Sequence, residues 1–121
     1  MVFKSSLNLS GSGNQSGFVK MGNLEILSPQ NTTIVLNAYC LFAYTINGIY
    51  DLATSSGSLT LTININGTPV TGLNGLSVTT TSQNPTATAN NVVSVGQQVT
   101  LVISSVSGAS NLIGTIKSTI N

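Results

Sequence analysis

Two carboxylates (Glu25 and Asp51), one thiol (Cys40) and three amines (Lys4, Lys20 and Lys117) are all the charged or thiol groups this chain offers for acid, base or nucleophilic chemistry. There is no histidine. A serine or cysteine nucleophile needs a neighbouring base, which is most often an imidazole. General acid–base work by a carboxyl pair would require Glu25, in the stretch LEIL, to meet Asp51, in IYDL. Nothing in their spacing brings them together, and the expectation is two solvated charges at strand ends. Cys40 lies among apolar residues with no basic neighbour in sequence, so it is expected to be a small buried hydrophobe. A single cysteine also excludes an intramolecular disulfide and a cysteine-based metal site. With two carboxylates and no histidine, no resident metal or cofactor is expected. The loop GSGNQSG lacks the Gly-Lys-Ser/Thr ending of a phosphate loop. Three lysines neutralise too few phosphates for nucleic-acid binding. The expectation is a protein that is not an enzyme.

Sugar is the ligand class this inventory leaves open, because tyrosine rings with Asn, Gln and Thr side chains can hold one without charge. Tyr39, Tyr44 and Tyr50 are the candidate platforms, although tyrosines in apolar runs more often serve packing.

The elements that position these residues read as strands. Leu59, Leu61, Ile63 and Ile65 alternate with Thr60, Thr62, Asn64 and Asn66, a period of two. Leu112, Ile116 and Ile120 share one face of a last strand, with Gly114 as a gap and Lys117 outward. Asn47-Gly48, Asn66-Gly67 and Asn74-Gly75 are hairpin signals. Gly57, Gly96 and Gly108 mark further breaks. Strands are predicted at 2–9, 18–27, 32–46, 49–53, 58–66, 69–71, 76–81, 85–89, 92–94, 98–106 and 112–120, some of them merging. The expected fold class is all-β: an antiparallel, jelly-roll-like β-sandwich of about eight strands. Residues 1–17 form an N-terminal arm and a loop, SGSGNQSG, of flexible composition; residues 18–121 form a single sandwich domain. The arm is expected either to pair with the sheet edge or to reach a partner through Val2, Phe3, Leu7 and Leu9.

The run 32–46 is apolar on both faces of a strand. Either another part of the chain covers its second face, or a second subunit does. The aromatic content favours an oligomer contact built from Tyr39, Leu41, Phe42, Tyr44 and Tyr50. Composition points the same way. Charged residues are 4% of the 121, against roughly 25% in an average soluble protein. The 40% hydrophobic content is enough to fold. A net charge of +1 gives little colloidal repulsion, so the surface is expected to associate with copies of itself or with a larger assembly. The opening residues MVFKSSLNLSGSG contain no apolar core of a signal peptide. The stretch 33–46 is shorter than the ~20 residues of a membrane helix. Synthesis in the cytoplasm, with no membrane span, is expected.

From Gly57 onward four segments carry a likeness: GSLTLTININGTPVTGL, SVTTT, TATANNVVSVGQQVTLVI and LIGTIKSTI. Together they resemble jelly-roll β-modules of tailed-bacteriophage structural proteins, which include head decoration or cement proteins and fibre proteins. The last part also resembles the trimeric tumour-necrosis-factor/C1q-like sandwiches, with Gln97 where Asp commonly follows the glycine. The resemblance implies a trimer on a virion. One form is a capsid decoration protein whose partner is the major capsid protein. The alternative is a tail-fibre or receptor-binding module that recognises host glycan.

Overall fold

The computed structural model describes residues 2–7 and 19–121. The predicted loop at 10–17, and Leu9 of the predicted arm contact, lie outside them. The described residues form β1 (Val2–Leu7), β2 (Val19–Ile26), β3 (Thr32–Asn37), β4 (Tyr44–Ala53), β5 (Ser56–Ile65), β6 (Thr68–Pro69), β7 (Leu76–Val78), β8 (Val92–Val93), β9 (Val99–Ser110) and β10 (Leu112–Ile120), with no helix among them. One sheet has the order β1-β2-β10-β4-β8; the other has β3-β9-β5-β6, with β7 also on β5.

The antiparallel pairs are nested. β2 pairs β10, β3 pairs β9, β4 pairs β8 and β5 pairs β7. Pairing β10 with β4, and β5 with β9, rolls this long double-stranded ribbon into two facing sheets. The eight nested strands make a jelly-roll sandwich, as the alternation predicts. Every second residue of β5 points inward, so Leu59, Leu61, Ile63 and Ile65 are buried. They meet Leu24, Ile49, Leu52, Leu101, Ile103 and Leu112 in one core. Asn66-Gly67 is the predicted tight turn, with both φ values positive at 48° and 82°.

Four predictions fail, each for a structural reason. The run 32–46 is not one strand. It ends at Asn37 on the edge of one sheet and resumes at Tyr44 in the other. Its apolar residues therefore belong to two strands and a crossover, and Cys40 is fully buried within that crossover. Asn47-Gly48 is no turn either. It lies inside β4, where a register shift leaves Asn47 as the extra residue opposite Lys117 and Ser118. Gly57 and Gly108 likewise sit within β5 and β9 at left-handed φ, beside register shifts, rather than ending strands. Finally, 85–89 is not a strand. It makes single bridges on two sides, Thr86 to Gly48 of β4 and Ala89 to Thr71, just past β6.

All five charged residues lie on β1, β2, β4 and β10, so one sheet carries every charge and the other none. Within the charged sheet a second irregularity matters. Thr115 pairs Tyr50 and Ile113 pairs Ala53, so Asp51 and Leu52 together oppose Gly114. Asp51 takes the left-handed conformation, φ 53°, which aspartate tolerates better than most residues. On the inner side of the sheet Leu52 and Ile49 fill the space against Gly114. A Cβ there would lie 3.0 Å from Ile49 Cγ2 and 3.3 Å from Leu52 Cδ1. Replacing Gly114 by Val is expected to overpack this site and cost about 1–3 kcal/mol, measured by denaturant unfolding. Unchanged stability would show that the bulge relaxes freely.

Candidate functional site

The predicted interface residues separate into three environments. Tyr39, Leu41 and Phe42 lie on the 38–43 crossover and are exposed, Leu41 at 70% and Tyr39 at 60%. The crossover is strapped to the turn before β9. The Cys40 N–H donates to the Gln97 carbonyl at 3.0 Å, and the Gly96 N–H donates back to the Cys40 carbonyl at 2.8 Å. The strap sets the Tyr39 ring over Gly96, 3.6 Å from where a Cβ would stand, and the exposed Val95 is the next residue in the chain before that glycine. Val92, paired with Thr45 at the edge of the charged sheet, is a further exposed apolar residue. The sequence gives no signal for the contribution of Val92 and Val95, which depends on the strap.

Tyr44 does not belong to this surface. It is 6% exposed and points into the sandwich, where parity on β4 places it with Ile46. Its hydroxyl accepts a hydrogen bond from Asn37 Nδ2 at 3.1 Å, tying the end of β3 to the start of β4. The two side chains border an interior cavity of about 40 Å³ that Leu36, Ile63, Val99 and Ile116 also line. A buried ring is neither a sugar platform nor an interface side chain, so Tyr44 fills neither expected role. Cys40 is the predicted buried hydrophobe, and its thiol donates to the Phe42 carbonyl at 3.2 Å.

Tyr50 stands apart. It lies six residues further along β4, roughly 20 Å away at strand rise, on the outer face of the charged sheet. It is 41% exposed, and the Lys117 ammonium sits 6.0 Å from its ring centroid, the limit of a cation–π contact. Its register partner Thr115 lines a surface depression of about 340 Å³. Both carboxylates line it too, with Asn23, Leu24, Ile113 and Gly114. Sequence spacing kept Glu25 and Asp51 apart. The fold brings them together because β10 pairs β2 on one side and the bulged β4 on the other. Asp51 is held in place there: its N–H donates to Asn84 Oδ1 at 2.8 Å, and its Oδ1 accepts from Ser82 Oγ at 3.3 Å.

Of the predicted arm contacts, Val2, Phe3 and Leu7 lie on β1, in register with Glu25, Leu24 and Lys20 of β2. The arm pairs with the edge of its own sheet. Among the described residues, no three His, Cys, Asp or Glu side chains come together as metal ligands. Among the same residues, no helix is long and apolar enough to cross a membrane. No protein-family model matches the chain, and no curated protein matches it.

Burial pushes the Tyr44 phenol above its ordinary value near 10. The Asn37 hydrogen bond pulls part of that back, and Cys40 adds a smaller upward push. A raised phenol favours the neutral ring in the fold. This contribution to stability is complete below about pH 10 and is lost as pH rises through the folded value. Thermal melts should therefore show an alkaline decline that Tyr44→Phe reduces, at a cost of about 0.5–1.5 kcal/mol at neutral pH for the lost bond. Identical alkaline slopes in the two proteins would refute the assignment.

Proposed function

We propose that this chain is a non-enzymatic structural subunit that packs against copies of itself. In the most specific form of the reading, it does so as a trimeric capsid decoration or cement protein on a phage head. The observation that carries the self-association is the exposed apolar crossover, Tyr39, Leu41 and Phe42, beside Val95. Large exposed apolar side chains gathered on a strapped, well-formed surface are a mark of an interaction site. The charge-free sheet supports the same reading, because nothing on it repels a neighbour. The jelly-roll order is the fold implied by the likeness of residues 57–120 to phage modules. That likeness is the ground for the virion, the trimer and the capsid partner. A catalytic role finds no support in a chain without histidine.

Light scattering of the purified protein should give a multiple of 12.4 kDa, three-fold on this reading. Leu41→Lys, at the most exposed of these positions, should weaken the association ten-fold or more, and Tyr39→Lys should do the same. A wild-type mass of 12.4 kDa removes the self-association. Electron microscopy of particles made with and without the protein tests the location. Knobs missing from the head, and heads that leak on heating, support decoration. Intact heads with lost host adsorption move the protein to the tail.

A further inference from the structure

The charged residues of this chain are few, yet they are not scattered. Of the charged side chains that the structure describes, Glu25 and Asp51 line one depression on the outer face of the charged sheet, and Lys117 follows two residues along β10 from Thr115 on its wall. Solubility alone would distribute five charges over both sheets and the loops. Tyr50, Asn23 and Thr115 share one row across β4, β10 and β2, two strand spacings or roughly 10 Å wide. Glu25 and Ile113 form the next row. The outcome is a concavity of about 340 Å³ with two carboxylates, an amide and a hydroxyl on its walls. An exposed Ile113 lies within it, and the half-exposed Tyr50 is the register partner of Thr115 on its wall.

From this we infer that the depression over Gly114 is a binding site for a neutral saccharide, with Glu25 and Asp51 accepting its hydroxyl protons and Tyr50 covering a C–H face of the ring. Ionised carboxylates are pure acceptors and make strong hydrogen bonds to hydroxyl donors. The Asn23 amide and the Thr115 hydroxyl can donate to ring or hydroxyl oxygens. Tyrosine offers an apolar face with a polar tip. A size of 300 Å³ or more is that of a small-ligand pocket. The charge pattern sets the class, because two carboxylates repel a sialylated or uronic-acid sugar and favour an uncharged one. The apolar walls set it apart from a bare cation site, to which Tyr50 and Ile113 would contribute nothing. This inference does not rest on self-association or on a place in a virion.

The test is a glycan array carrying neutral hexose and N-acetylhexosamine oligosaccharides beside sialylated and uronic-acid ones. Any hit is then titrated into ¹⁵N-labelled protein. Expected are binding to neutral glycans, saturable shifts at Asn23, Glu25, Asp51 and residues 113–115, and at least ten-fold weaker binding for Tyr50→Thr. Asp51→Asn keeps a residue that tolerates the left-handed backbone while removing the charge, and should weaken binding by a similar factor. No hit on the array overturns the inference, as do shifts centred elsewhere, a preference for acidic glycans, or a response to calcium alone at these residues. A monomeric protein that binds as described would end the assembly reading and leave this one standing. An oligomer with no glycan bound would do the reverse.

Discussion

Past Thr45, the edge of β4 that faces away from β10 has no regular strand beside it, because β8 pairs only Tyr44 and Thr45. Buried peptide groups left unpaired there would be costly. The irregular segment from Thr79 to Asn91 meets the need. The carbonyls of Asn91, Pro85, Gln83 and Thr79 accept in turn from the N–H groups of Ile46, Ile49, Leu52 and Thr54. The same segment exchanges backbone bonds with Thr71, beyond β6 of the opposite sheet. One length of chain thus completes the central strand of one sheet and closes the side of the sandwich. Gly48 makes the approach feasible, since a Cβ at that position would lie 2.5 Å from the Pro85 carbonyl oxygen. The same segment holds the part of β4 that carries Ile49 and Leu52 against Gly114.

Much of the fold was legible because a half-buried strand must alternate, and β5 and β10 alternate cleanly. The turn at Asn66-Gly67 was legible because its two positive φ values leave few other residue types. What misled were glycines and asparagines used for something other than turns. Gly48 admits a neighbouring backbone, and Gly57 and Gly108 sit against each other within paired strands. The crossover at 38–43 was invisible because it contains no glycine or proline, and its apolar residues continue the pattern on either side. The sites followed suit. Tyr39, Leu41 and Phe42 are exposed because they stand on the crossover, whereas Tyr44 points inward by strand parity. The meeting of Glu25 with Asp51 depends on two non-local strand pairings and a bulge, and local sequence encodes none of these.

The two outer faces of the sandwich are chemically unlike. On one, Thr33, Val35, Thr60, Thr62, Thr100 and Val102 form rows of hydroxyl and methyl groups with no charge. On the other, two carboxylates line a depression and the Lys117 ammonium lies over Tyr50. Salt screens the second face and leaves the first almost untouched, so ionic strength separates what each face does. The apolar crossover, at the end where the chain passes between sheets, belongs to neither pattern.

The nested order of the strands also governs when this protein can form. β2 finds its main partner in β10, some ninety positions away in the chain, and β4 leans on the same strand. Until the residues of β10 have left the ribosome, both strands present an unpaired edge to the cell. Non-local pairing of this kind is slow to form, and chains waiting for it are prone to aggregate. The nested order therefore delays closure of the whole sandwich until β10 is available, at a moment when high local concentration is a hazard. Its near-absence of charge makes the interval between synthesis and closure its most vulnerable period.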